Sequence, residues 1–216
     1  MAIQAVNSAA GFDAGWWLDW AEGIAPGAAP PAARRCPVGD LRAMRLAPRL
    51  EGQMNVPATY ALSETTVEVR AATLELRFCG AGFECNQFEG DGLLVVAAPP
   101  APAKVAASLS LAFGRPVRGL GAYVAAGSTQ PPNGAAFTAR LWVRTGPSGR
   151  FVLAASRRGT SGARGVFDTP PGVLRGARIL GALSDADDIQ AARFELLPAA
   201  GVGVGQLALS QLHALS

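Results

Sequence analysis

Imidazole is almost missing from this chain, and His213 near the C-terminus is its single histidine. Ser-His-Asp and Cys-His enzymes need an imidazole to take the nucleophile's proton, so such a site would have to form around His213. The segment Gly159-Thr160-Ser161-Gly162 is no nucleophile elbow, which requires Gly-x-Ser-x-Gly between a strand and a helix, and it reads as a turn. Lysine is equally scarce. Lys104 is the sole one and no glycine-rich stretch precedes it, which excludes a phosphate-binding P-loop. Gly201, Gly203 and Gly205 are not embedded in a βαβ unit, so they do not make a dinucleotide loop.

Cysteine is scarce too, with Cys36, Cys79 and Cys85 the only three. With no CxxC pair and one histidine, a structural zinc site is not supported. Cys79 and Cys85 bracket a short loop, which leaves two readings open: a local disulfide in an oxidising compartment, or three reduced thiols. Long apolar runs are absent. No stretch reaches the roughly 18 to 20 residues of a spanning helix, and Leu93 to Ala98 is far shorter. Residues Met1 to Gln4 lack the basic start and apolar core of an export signal, which leaves a cytosolic protein or a mature exported one. The net charge of +3 is carried almost wholly by scattered arginines. A nucleic-acid binder concentrates such charge into a patch, so nucleic acid is not expected as a partner.

What the chain does have is punctuation. Its 26 glycines and 16 prolines are spread throughout, and each interior position would cost a helix about 1 or 3 kcal/mol respectively relative to alanine. Many short strands joined by turns follow. From Ser108 to Phe113, Leu109, Leu111 and Phe113 alternate with small or polar residues, as a half-buried strand does. Gly114-Arg115-Pro116 is expected to end it, with a second extended segment from Val117 to Val124. Between Phe137 and Arg144 the alternation is strictest: Phe137, Ala139, Leu141 and Val143 face one way, and Thr138, Arg140, Trp142 and Arg144 the other. Gly146-Pro147-Ser148-Gly149 then turns into Arg150 to Ala155 as a hairpin. Further strands are expected at Ala177 to Ala182, Ile189 to Leu196 and Gln206 to Leu212. Thr65 to Phe78 fits either a helical stripe or two strands, and its β-branched Thr65, Thr66, Val67 and Val69 favour strands, with a bulge or turn at Ala71-Ala72. Asp13 to Trp20 is expected as a short helix whose tryptophans close one end of the core.

Three clusters could carry chemistry. Trp142 shares a strand face with Arg140 and Arg144, a flat aromatic flanked by guanidinium groups. That arrangement suits a sugar ring or an acidic polymer, or a cation–π pair covering its own sheet. Asp185, Asp187 and Asp188 offer oxygen ligands for Ca²⁺ at a turn, though without an EF-hand's glycine and distal glutamate, and a plain charged turn is the alternative. Glu84, Glu89 and Asp91 lie close together beside glycine-rich turns and read as a solvated loop, while a carboxylate-dependent hydrolase, whose two acids need not be near in sequence, stays open.

Several segments in order resemble a known family. Asp19-Trp20 is followed by Asn86-Gln87-Phe88-Glu89-Gly90-Asp91-Gly92-Leu93-Leu94, then by Leu111-Ala112-Phe113-Gly114-Arg115-Pro116-Val117-Arg118-Gly119-Leu120-Gly121-Ala122-Tyr123. Gly134 to Ala139, Ile179 to Ala182, Ile189 and Phe194 complete the pattern. It is similar to the extracellular β-sandwich of bacterial proteins with PEP-CTERM sorting tails, over roughly residues 86 to 212. The resemblance implies a jelly-roll-like sandwich on an exported, envelope-associated or matrix protein and brings no catalytic residues. The export signal, the Pro-Glu-Pro tail and its basic end are not seen here.

The expectation is an all-β, jelly-roll-like antiparallel sandwich with a short N-terminal helical segment, one domain over residues 1 to 216 with an irregular stretch at 1 to 40 packed on it. The expected function is a non-catalytic secreted or cell-surface binding or structural module with polysaccharide or another envelope component as its partner. A hydrolase on the same scaffold is the alternative. No cofactor is expected beyond the Ca²⁺ candidate.

Overall fold

The computed structural model describes residues 2–12, 14–20, 23–25, 59–61, 65–78, 92–97, 107–127, 136–160, 178–198 and 206–216. In chain order the strands are β1 (Ile3–Val6), β2 (Trp16–Asp19), β3 (Gly23–Ala25), β4 (Thr59–Ala61), β5 (Thr66–Arg70), β6 (Glu75–Phe78) and β7 (Gly92–Ala97). They continue as β8 (Ala107–Val117), β9 (Gly119–Gly127), β10 (Ala136–Thr145), β11 (Val152–Thr160), β12 (Arg178–Ser184), β13 (Ile189–Pro198) and β14 (Gln206–Leu215). All described pairings are antiparallel. One sheet has eight strands, along the path β1-β12-β9-β14-β2-β3 with β7 paired to β14 and β6 to β7, and the other has six in the order β11-β10-β13-β8-β5-β4.

The chain builds a two-layer sandwich by crossing between sheets. Only Arg118 separates β8 in one sheet from β9 in the other. Its own peptide groups stay paired across that step: Arg118 N donates to Leu215 O at 2.7 Å and Arg118 O accepts from Ser184 N at 2.7 Å. The parity change at Ala71-Ala72 marks another crossing, because β5 lies in the six-stranded sheet and β6 in the eight-stranded one. The inner faces of both sheets meet in one apolar core. Leu18, Leu94, Leu120 and Leu209 come from one side, and Val67, Leu111, Leu141 and Phe194 from the other.

The alternation expected from Ser108 onward is present. Phe137, Ala139, Leu141 and Val143 are buried while Thr138, Arg140, Trp142 and Arg144 are half-buried. The hairpin of β10 and β11 forms as expected, with Gly146 at φ 67°, a conformation glycine adopts without a Cβ penalty. Gly146 N donates to Asp188 O at 3.0 Å and so fastens the hairpin to the turn between β12 and β13.

Three expectations are corrected. The described part of the stretch from Asp13 to Trp20, residues 14 to 20, holds no helix: Trp16–Asp19 is strand β2, and a 3-10 turn lies before it at Ala9–Phe12. Trp16, Leu18 and Trp20 all reach the shared core, which is a strand's period of two. Trp17 is buried as well, and burial on both sides hid the alternation. Second, Gly114-Arg115-Pro116 does not end β8, which runs on to Val117. The register against β13 slips there, from Ala112 opposite Ala191 to Val117 opposite Ile189, as an irregularity that admits a proline does. Thr65 Oγ1 accepts from Arg115 N at 2.8 Å inside this slip. Third, the described part of the first 40 residues, expected to be irregular, carries β1, β2 and β3.

β14 shows how a central strand changes partner. It pairs with β7 through Gln206 to Leu209 and with β2 through Leu212 to Ala214, while its register against β9 shifts between Leu209 and Leu212. At that shift Trp20 Nε1 donates to Ser210 O at 2.9 Å in a buried bond. An indole thus serves a carbonyl that the sheet ladder has displaced, where burial without a partner would be costly. Tyr60 packs edge-on against Trp20 at 5.3 Å and donates to Trp20 O at 3.3 Å.

Candidate functional site: the outer face of the six-stranded sheet

Because side chains alternate along a strand, the core residues of β5, β8, β10 and β13 determine which of their neighbours share the outer face. Strand pairing then arranges these neighbours in rows. One row runs Leu153, Trp142, Arg193, Ser110 and Arg70, from β11 across to β5. The next runs Ser156, Arg140, Glu195 and Ser108. A third sets Arg158 opposite Thr138, and a fourth sets Arg144, Ala191, Ala112 and Glu68 side by side.

Trp142 is fixed at the centre of this face. Its Nε1 donates to Glu195 Oε2 at 2.6 Å. The other carboxylate oxygen, Oε1, lies 2.9 Å from Arg193 Nε. Arg193 in turn stacks between two rings, its guanidinium carbon 5.6 Å from the Trp142 centroid and 4.9 Å from that of Phe151. Arg144 sits over Phe151 at 5.8 Å. The cation against the indole is therefore Arg193, not Arg140 or Arg144. Glu195 is 8% exposed, and both its oxygens serve to orient this cluster. Hydrogen bonds to an ionised acceptor are about twice as strong as neutral ones, so the indole plane is held rather than free to rotate.

Beside the cluster Leu153 is 49% exposed, while Val152, opposite the core-facing Val143, points to the other side of the sheet and is 45% exposed; these are the only large hydrophobics exposed among the described residues. Across the sheet, the first half of β8 offers the short Ser108, Ser110 and Ala112 to this face. A line of short side chains thus runs between the ridge of Trp142, Arg193 and Glu195 and the ridge of Glu68 and Arg70. The latter two form a bidentate exposed pair at 2.8 and 2.9 Å. Arg70's hydrogen bonds hold the Glu68 carboxyl below the usual carboxylate range, with burial opposing.

The sequence singled out Arg140, Trp142 and Arg144, and they do share one face. Sequence reasoning missed Arg193, Glu195 and Phe151. The polar residues Arg193 and Glu195 alternate with Ala192, Phe194 and Leu196, a signal for the face of β13, but nothing local says that β13 lies beside β10.

Asp185, Asp187 and Asp188 occupy the turn between β12 and β13, and among the described residues no three His, Cys, Asp or Glu side chains converge on a point where a metal could sit. The turn does a structural task instead. Asp185 Oδ2 accepts from Ala2 N at 3.3 Å and Oδ1 from Ser184 Oγ at 3.4 Å, and the Ala2 amide above all holds the Asp185 carboxyl low. Cys36, Cys79, Cys85, Glu84, Glu89 and Asp91 lie outside the described residues. His213 is buried in the other sheet, 6.0 Å from Tyr123 and 6.3 Å from Phe12 by ring centroids.

No helix among the described residues is long and apolar enough to cross a membrane. No protein-family model matches the chain, and no curated protein does. Among solved structures, the chain is similar to CBM28, a carbohydrate-binding module specific for non-crystalline cellulose, at 14% identity and a TM-score of 0.42 over 66% of this chain and 80% of that one. TmCBM61 in complex with β-1,4-galactotriose matches at 10% identity and a TM-score of 0.30, over 69% and 87%. A family two carbohydrate esterase from Cellvibrio japonicus matches at 15% identity and 0.28, over 70% of this chain and 34% of that one.

Proposed function

We propose that this chain is a non-catalytic binding module of an exported or cell-surface protein, which holds a polysaccharide on the outer face of its six-stranded sheet. The observation that carries this reading is the locked platform: an indole pinned by Glu195, a guanidinium stacked on it, and exposed Leu153 beside it on the neighbouring strand. A sugar ring presents an apolar face and a rim of hydroxyls. It is matched by a rigid aromatic with polar groups around it, because little conformational entropy remains to be lost on binding. The line of short side chains along β8 supplies room for an extended polymer beside the platform.

The strand order supports the same reading. From β7 to β14 the sheets run β12-β9-β14-β7 and β11-β10-β13-β8, which we read as the double Greek key of a jelly roll. The resemblance of residues 86 to 212 to the sandwich of PEP-CTERM proteins agrees with an envelope or matrix setting. Catalysis by a carboxylate pair is not favoured on this face, because Glu195 and Glu68 are each committed to an arginine.

The test is retention of the purified chain on immobilised polysaccharides of several chemistries, with Trp142→Ala, Trp142→Phe and Leu153→Ala run beside the parent and thermal melts as the folding control. Retention of the parent on at least one polymer, weakened in Trp142→Ala and Leu153→Ala while folding persists, is the expected result. Retention on none, or equal retention by all variants, overturns the proposal.

A further inference from the structure

Charge on the binding face is unbalanced in a way that names the class of polysaccharide. The outward positions of the six-stranded sheet carry Arg70, Arg140, Arg144, Arg158 and Arg193 against Glu68 and Glu195. Both glutamates are spoken for, Glu68 by Arg70 and Glu195 by Arg193. Arg140, Arg144 and Arg158 are left without an ion pair among the described residues. Arg140 faces Glu195 across the strands, yet that carboxylate bonds to Trp142 and Arg193 instead.

Placement matters as much as number. Arg140 and Arg144 sit two positions to either side of Trp142 on β10, about 7 Å each way at a strand's rise. Arg158 lies on the neighbouring strand, diagonal to Arg140 through the Thr138 pair. The three guanidinium groups therefore border the indole along the strand direction rather than clustering at one point. Guanidinium groups bind carboxylate and sulfate oxygens in pairs, in a geometry that hydroxyls do not reproduce.

We infer that the polymer is acidic, a chain bearing carboxylate or sulfate groups, with Arg140, Arg144 and Arg158 meeting its anions while a sugar ring rests on Trp142. This rests on the outer face being the binding surface, and it fixes the chemical class that the face selects. A fully stacked or fully charge-driven surface would differ: the first would ignore salt, and the second would ignore the indole.

The experiment titrates the full chain against polygalacturonate, a sulfated glucan, neutral hydroxyethyl cellulose and single-stranded DNA, each at low and high salt. Arg140→Gln, Arg158→Gln and their double variant leave the Glu195 cluster intact and are compared with Trp142→Phe. Expected are binding to an acidic polysaccharide, a loss of about tenfold or more in the double variant, and marked weakening by salt. Equal binding of neutral and acidic polysaccharides, unmoved by the arginine variants, overturns this inference and leaves the binding-face reading standing. Binding to none of the polysaccharides overturns both. Binding to single-stranded DNA as tightly as to the acidic polysaccharide also overturns it, since charge alone would then account for the face.

Discussion

The two outer faces of this sandwich differ in what covers them. On the eight-stranded sheet the outward face carries a buried apolar patch: Leu93, Val95, Ala125 and Ala208 form a second cluster with Tyr123 against it, and His213 lies buried beside Tyr123. Gly121 and Gly181 lie opposite each other there, under the ring of Phe12. On the six-stranded sheet the outward residues include five arginines, two glutamates and a tryptophan among short side chains, and apart from the buried Glu195 and Ala191 they are half-buried or exposed. The outer face of one sheet is therefore closed to solvent where this cluster lies, and that of the other is open to it.

The sharpest way to break this contrast is to truncate a leucine on each face. Leu93 is fully buried, so Leu93→Ala is expected to cost about 2 to 5 kcal/mol through lost transfer energy and a cavity. Leu153→Ala, at an exposed position, is expected to stay within about 0.5 kcal/mol of the parent. Urea denaturation of the two variants decides it, and similar losses would mean that both faces are covered alike. Adding bulk is the complementary probe. A Cβ on Gly121 would stand 2.8 Å from the Phe12 ring and 3.2 Å from Gly181 Cα, so Gly121→Val should cost about 1 to 3 kcal/mol by overpacking. An unchanged midpoint would show Phe12 free to lift away.

On the other face the largest effect on stability should come from Glu195. Glu195→Ala removes the acceptor of the Trp142 indole and the partner of Arg193 together. Arg193's side chain is 34% exposed, so solvent screens part of the loss, and about 1 to 2 kcal/mol is expected. Glu195→Gln keeps an acceptor for the indole and should recover part of it. Trp142 fluorescence gives the second readout: a shift in Glu195→Ala that Glu195→Gln restores would place the indole's orientation under that hydrogen bond.

The same contrast explains what could be read from the residues alone. β8, β10 and β13 expose one face, so polar residues interrupt their apolar ones at every second position and the strands announce themselves. β7 is buried on both faces, and its Leu93, Leu94, Val95 and Val96 form an unbroken run with no period. Trp16, Trp17 and Leu18 of β2 posed the same problem and resembled a helix. The site was half legible. Arg140, Trp142 and Arg144 follow from the alternation within β10. Arg193 and Glu195 join them only through a pairing across some fifty residues of chain, which no local pattern encodes.

The smallest effect should come from the exposed pair of Glu68 and Arg70, and its direction with pH can be worked out. The Glu68 carboxyl is held below its ordinary value of 4.5, first by the Arg70 hydrogen bond. A carboxyl whose folded value is depressed contributes stability that is present above the unfolded value and is lost as pH falls through the folded one. Stability of the parent relative to Glu68→Gln should therefore be slightly positive at neutral pH and vanish in acid below that range. Because both side chains are exposed, salt should shrink the difference further. A difference that persisted in acid would place Glu68 in a packing role, and the face would then be less of a pure surface than its charges suggest.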